Sequence, residues 1–317
     1  MSVPDGNHPF VSIIILNYKR LDALRGCLTA AVAQEYSNRE IIVVDNHSEE
    51  DVEAVTAAFE GVKLIQLSQN GGSCAGRNAG IRAARGAILV TLDNDVEFAS
   101  PHELRSIVEA FDSHPEVHVL AFKICDAGSG KIREREWCHA RNCRKFGDAE
   151  FDTFFFGEGA SAFRREVFEV AGLYYEPLFI GHEGYDLGLR IIDRGFRILY
   201  APRVRVFHMA SAETRTRHRP YYFYTRNYIW IAFKDYAPMA GLRYGVPKVV
   251  IMFVFSIRAG CLGAFFKGIF DGLGGLPAVR SERMPVSRAT LAYLADLESW
   301  RPSLFSRLAR HRSQTQI

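Results

Sequence analysis

A strand-like run followed by a helical pattern, repeated through the N-terminal third, restricts this chain to few architectures. Phe10–Leu16 (FVSIIIL) is apolar and β-branched, as a parallel strand covered on both faces requires. Leu21, Leu24, Leu28 and Val32 then follow at helical spacing. The pair recurs as Glu40–Val44 with Val52–Phe59 and as Lys63–Leu67 with Cys74–Arg85, and a fourth run, Ala87–Leu92, closes the series. This succession predicts an α/β fold with a Rossmann-like, mostly parallel sheet, in which ligands sit outside the carboxyl ends of the strands. Asn17, Asp45, Asn70 and Asp93 fall at those ends.

The stretch LVTLDNDVEF (Leu89–Phe98) empties an apolar run directly into two carboxylates, Asp93 and Asp95, one residue apart. Strand period two puts both side chains on one face, and at the C-terminal end of a strand they can reach a divalent cation together. An Asp/Asn turn after a strand is the plainer reading of the same residues. Beyond Asp95 the pattern loosens into a mixed α+β region. It holds a strand at Val117–Ile124, a polar insertion at Asp126–Asp148, an aromatic patch at Phe151–Phe156, a last strand at Arg203–Phe207 and an aromatic-rich helix at Pro220–Asp235. The expected organisation is residues 1–235 as one domain, falling into 10–100 and 101–235, followed by a basic, apolar helical extension over 236–317.

Composition narrows the function classes. With 317 residues, 48% hydrophobic, the chain can bury a full α/β core and carry further elements. Six cysteines lack framework spacing and MSVPDGNHPF has no apolar leader run, so a reducing cytosol is expected. Cys138, His139 and Cys143 match no common zinc pattern. The net charge of +3 conceals an asymmetry, because from Arg203 onward 18 Lys/Arg face 6 Asp/Glu. Those cations are interleaved with apolar runs such as VVIMFVFSI, which suits an anionic membrane surface better than nucleic acid. Val246–Phe270 is interrupted by Pro247, Lys248, Arg258 and Lys267, so a buried or interfacial helix is expected there and not a membrane-spanning one.

Four segments in order, VSIIILNYKR, IIVVDNHS, QNGGSCAGRNAGIRAARGAILVTLDNDVEF and EGYDLGLRIIDRGFRILYAPRVRVFH, together resemble the family-2 glycosyltransferases with the GT-A fold, over roughly residues 10–235. The resemblance implies sugar transfer from a nucleotide-sugar donor, usually with inversion. It puts Asn17 and Asp45 at the base and ribose, although either could instead cap the following helix. It puts Asn70, Gly71, Arg77 and Asn78 along the donor, with Arg77 neutralising diphosphate. Asp93 and Asp95 match the family's Asp-x-Asp, and His208 falls where many members supply a third ligand to Mn²⁺ or Mg²⁺. GHEGYDLGLR corresponds to an acidic motif that normally reads Glu-Asp and supplies the catalytic base. Here Gly184 replaces the second acid, which leaves Glu183, the favoured base, and Asp186. Glu158, in FFGEGASAFRR, is a further acid without an assigned duty. QNGGSCAGRN, LDNDV and YYFYTRNYIW resemble the rhamnosyltransferase-like branch most, with a glycan, lipid-linked or small-molecule acceptor. A nucleotidyltransferase would also want a nucleotide crevice and a carboxylate-bound metal, but would show a Gly-rich, Lys-bearing loop where NYKR stands. A nucleotide-sugar-binding module without transfer is the remaining alternative.

Overall fold

The computed structural model describes residues 8–209 and 216–300. Among the described residues nine strands form one sheet, in the order β3-β2-β1-β4-β8-β6-β9-β5 when numbered along the chain, with β7 paired to β9. The four N-terminal strands, β1 (Val11–Asn17), β2 (Arg39–Asp45), β3 (Val62–Gln66) and β4 (Ile88–Asp93), are mutually parallel. Helices α1 (Leu21–Val32), α2 (Val52–Ala57) and α3 (Gly72–Ala83) connect them. The absence of alternation in β1 has the expected cause: Ile13 and Ile15 enter one core layer and Ile14 the other.

The part of the sheet built from residues 96–208 is mixed. After β5 (Val96–Phe98) and α4 (Glu103–Ser113) come β6 (Val117–Cys125), α5 (Cys143–Phe146), β7 (Phe151–Asp152), β8 (Ala160–Arg164), α6 (Glu166–Val170), α7 (Glu183–Asp193) and β9 (Arg197–His208). Strand β8 inserts between β4 and β6, antiparallel to both, so the segment before it returns to the carboxyl end of β4. The last strand is longer than its sequence suggests, beginning at Arg197, because its first half pairs with β6.

The remaining helices are α8 (Arg219–Lys234), α9 (Pro238–Ala259), α10 (Leu262–Gly274), α11 (Leu276–Val279) and α12 (Arg288–Glu298). Glycines let α9 and α10 approach α8 closely. A Cβ on Gly268 would lie 2.7 Å from the Tyr222 carbonyl oxygen, and one on Gly245 would lie 2.9 Å from the Ala232 Cβ. Pro247 does not interrupt α9, which runs for 22 residues and, by length and composition alone, is long and apolar enough to cross a membrane. The helix starts at Pro238, before the apolar segment read from Val246, and that segment is divided between α9 and α10 at Gly260–Cys261. Leu242, Val246, Val250 and Ile257 project from α9 at helical spacing and are at least half exposed.

Candidate active site

The carboxyl ends of β1, β2 and β4 meet the N-termini of α3 and α7, and the site is built at that meeting. Asn94 Nδ2 donates to Asn17 Oδ1 at 2.8 Å, and Asn17 Nδ2 donates to Asp45 Oδ1 at 3.0 Å. Asp45 also accepts the Ser48 backbone N–H at 3.1 Å, while the cap of α2 is Asp51, whose carboxylate accepts the Ala54 N–H. Capping therefore does not account for Asp45. Both Asn17 and Asp45 are buried beneath a crevice of 220 Å³ and stiffen its floor, and their neighbours Tyr18 and Asn46 line it. Asn46 went unremarked in the sequence. Its side chain accepts the Gly71 N–H and donates to the Gly72 carbonyl, both at 3.0 Å, so it fixes the glycine turn with Asn70, which caps Gly72 N–H at 2.9 Å.

The two aspartates of the strand end part company. Strand β4 stops at Asp93, and Asn94 and Asp95 form the turn into β5, so the period of two does not extend to Asp95. Asp93 Oδ1 takes Arg77 Nη2 at 2.5 Å. Asp95 Oδ2 takes Arg20 Nη1 at 2.7 Å and faces His208 Nε2 at 3.4 Å. Burial pushes the Asp95 carboxyl up, but hydrogen bonds from His208 and Arg20 outweigh it and hold the group below the usual carboxylate range. Burial likewise lowers the His208 imidazole, and its bonds to Asp95 and Glu136 more than reverse that. Glu136, in the polar insertion, receives His208 Nδ1 at 2.7 Å and so orients the ring, a part that nothing in its local sequence signals.

A divalent cation was expected on Asp93, Asp95 and His208. Among the described residues no three His, Cys, Asp or Glu side chains gather as a closed set. Asp93 is withdrawn onto Arg77, and Asp95 and His208 remain as a facing carboxylate and imidazole. Two such donors, the His208 imidazole on a cavity wall and the buried Asp95 carboxylate facing it, fit a cation that completes its shell with phosphate oxygens and water.

The acidic motif splits too. Glu183 opens α7, accepts a hydrogen bond from Ser73 Oγ and lies 3.7 Å from Arg77 Nη1. Asp186 turns away from the crevice. It is 0% exposed and bound by Arg190 Nη2 at 2.8 Å and Lys234 Nζ at 2.6 Å. Lys234 is shared with Asp235, whose carboxyl is pushed up by burial and by Asp186. Asn78 also points elsewhere, since its amide clamps Tyr174 and Glu176 at 2.8 and 2.9 Å, a bracing contact on the segment that leads to α7.

Glu158 is half-buried between two spaces. It lines the 220 Å³ crevice and a second cavity of 780 Å³ walled by Phe155, His182, Tyr185, His208 and Tyr224. His182 stacks on Tyr228 at 4.1 Å, and burial beside Lys248 pushes its imidazole down to about 3, so it stands neutral on that wall. Lys19, Arg20, His47, Phe179 and His182 are the non-glycine residues with positive φ among those described; Arg20 lines the crevice, and each of the others is next in sequence to a residue that does.

Residues 12–172 match the family model for glycosyl transferase family 2, half of the chain. The chain belongs to glycosyltransferase family 2. Family members similar to it include glycosyltransferase AglE of Haloferax volcanii, 37% identical over 30% of this chain and 32% of that one. The succinoglycan biosynthesis protein ExoO of Rhizobium meliloti is 36% identical over 33% of this chain and 30% of its own. The O-antigen biosynthesis protein RfbC of Myxococcus xanthus is 26% identical over 74% of this chain and 19% of its own. The matched stretches thus span about a third or less of these relatives. Among solved structures, a mannosyltransferase of Pyrobaculum calidifontis in complex with GDP-Man and Mn²⁺ shares the fold with a TM-score of 0.56 at 16% identity, covering 93% of this chain and 85% of that one. GalNAc-T7 with UDP, GalNAc and Mn²⁺ follows with a TM-score of 0.57 at 19% identity, over 73% of this chain and 49% of its own. The fold of this family-2 chain is therefore GT-A, with a helical C-terminal region.

Proposed function

We propose that this protein transfers a sugar, with inversion, from a nucleoside diphosphate sugar to a glycan or lipid-linked acceptor. The observation that carries this is the convergence of Asp95 with His208 and of Asp93 with Arg77 at the end of β4, where one crevice meets a larger aromatic cavity. In this reading the crevice takes the donor and the 780 Å³ cavity takes the acceptor. Asn17 and Asp45 hold the nucleoside end rigid, the turn at Asn70–Gly71 lets backbone approach the donor, and Arg77 counters diphosphate charge. Asp95 and His208 would hold Mn²⁺ or Mg²⁺, with Asp93 beside them, and the cation would supply positive charge to the departing diphosphate. A carboxylate on the acceptor side, Glu183 or its neighbour Glu158, takes the acceptor's proton.

The mannosyltransferase bound to GDP-Man and Mn²⁺ and GalNAc-T7 bound to UDP and Mn²⁺ support a donor and cation of this kind. The relatives in succinoglycan and O-antigen biosynthesis favour a polymeric glycan, and the latter is what supports a rhamnosyltransferase-like specificity. Residues 1–235 would form the transferase domain and 236–317 a basic extension resting on the anionic cytosolic membrane face, as the exposed apolar stripe of α9 suggests. Thermal-shift measurements against UDP-, GDP- and dTDP-sugars, with and without Mn²⁺, test the core of this. One donor class should raise the melting temperature only when Mn²⁺ is present, and a chain indifferent to all of them is not a transferase of this kind.

A further inference from the structure

The acidic motif of this chain lacks its second carboxylate, and another fills that volume. A Cβ built on Gly184 would fall on the carboxyl group of Glu158, 2.7 Å from its Cδ. Glu158 Oε1 accepts the Gly184 backbone N–H at 2.8 Å, so the two positions compete for one space at the N-terminus of α7. Residue 184 would reach that space from the helix, whereas Glu158 reaches it from the turn that precedes β8. We infer that Glu158 is the catalytic base of the proposed transfer, delivering from the sheet side the carboxylate that position 184 does not carry. This rests on the transferase reading above and assigns one role within it.

The other acids near the site are committed. Asp93 is held by Arg77 at 2.5 Å, Asp186 by Arg190 and Lys234, and Glu136 by His208. Glu183 receives Ser73 Oγ, faces Arg77 and lines the smaller crevice only. Asp93 and Glu158 are the two residues shared by the walls of the donor crevice and the larger cavity, and a base must stand at such a junction to touch an acceptor hydroxyl that attacks the donor. The backbone that carries Glu158 is held firmly. Its backbone carbonyl takes Thr91 Oγ1 at 2.7 Å and Arg77 Nε at 3.2 Å, and the adjoining Gly159 carbonyl takes the Asp93 N–H at 3.2 Å. The turn that carries the base is thereby tied to the strand end that carries Asp93.

The charged and titratable groups facing Glu158 are Glu183 from α7, Arg77 and Cys74 from α3, and Tyr174. Burial and Glu183 push its carboxyl up to about 7, against Arg77, a value suited to accepting a proton near neutrality. In the step itself the acceptor oxygen forms a bond to the anomeric carbon as the bond to the diphosphate oxygen breaks. The bonding pair leaves with the diphosphate, and the acceptor proton passes to Glu158, which later returns it to solvent.

The test uses the full chain with Mn²⁺ and UDP-glucose, GDP-mannose and dTDP-rhamnose as probes, with water as acceptor. Donor binding is read by calorimetry and turnover by nucleoside diphosphate release. Glu158→Gln should bind donor within about twofold of the wild type while kcat falls on the order of a hundredfold or more. The double variant Glu158→Ala/Gly184→Asp, which puts the carboxylate back on the helix, should be at least about tenfold faster than Glu158→Ala. Wild-type turnover in Glu158→Gln, or a double variant no faster than the single, overturns the assignment. Absence of donor binding in the wild type instead removes the transferase reading and the assignment with it.

Discussion

Asp186→Asn separates a scaffolding acid from a chemical one. The substitution keeps the volume and removes the charge on which Arg190 and Lys234 converge inside a site that is 0% exposed. Burial raises the Asp186 carboxyl, yet Arg190 and Lys234 outweigh it and bring the group from 3.8 down to about 2. That depression corresponds to a stabilisation on the order of 2–3 kcal/mol at 1.36 kcal/mol per pH unit. Removing one partner of a buried ion pair costs about 3–5 kcal/mol. The lower part of that range is expected, because Lys234 keeps Asp235 and Arg190 keeps the Leu173 carbonyl at 2.9 Å. Since the folded-state value is depressed, the stabilisation is present above about pH 4 and is lost as pH falls towards 2. Urea unfolding should therefore show the variant less stable by about 3 kcal/mol at pH 7, with the gap closing below pH 4. Donor turnover per folded molecule should stay within a few-fold of the wild type. A variant of unchanged stability that has lost its turnover would refute this and make Asp186 the base.

Asp95→Asn should abolish the Mn²⁺-dependent part of the donor-induced rise in melting temperature, and a retained response would move the cation away from Asp95 and His208. Asp45→Ala should weaken nucleoside diphosphate binding about tenfold or more by calorimetry, the scale of a lost charged hydrogen bond; equal affinity would leave Asp45 only its turn with Ser48. The full chain should sediment with anionic vesicles at about 0.1 M salt and release by about 0.5 M as screening tightens. If it ignores anionic vesicles at low salt, the exposed stripe of α9 is covered by something other than lipid.

The parallel half of the sheet was legible because its evidence is local. A strand buried on both faces, such as Val11–Asn17, must be apolar throughout, and the polar residue at its end is then conspicuous. Strand alternation does not carry Asp95 to the face of Asp93, since the strand ends at Asp93 and Asp95 lies in the turn that follows. Asn78 and Asp186 sit at suggestive positions in their motifs, and only the packing of Tyr174 against α3 and of Lys234 against α7 shows where they point. The relation of Glu158 to Gly184 was invisible for the same reason. The residues are 26 apart, and they meet because β8 runs antiparallel beside β4, a pairing that no periodicity in the sequence announces.

The close seating of α9 and α10 on α8 gives the molecule a mechanical linkage. Arg226 and Asn227 of α8 grip the carbonyls of Pro177, Leu178, Ile180 and Gly181, the segment that delivers α7 to the crevice. Lys234, at the far end of the same helix, holds α7 through Asp186. Force applied to the apolar stripe of α9 is thus borne by backbone contacts with little slack and reaches the active-site helix at two points along one rod. A chain cut after α8 would keep every residue of the crevice and lose the bearing that holds α7 in place.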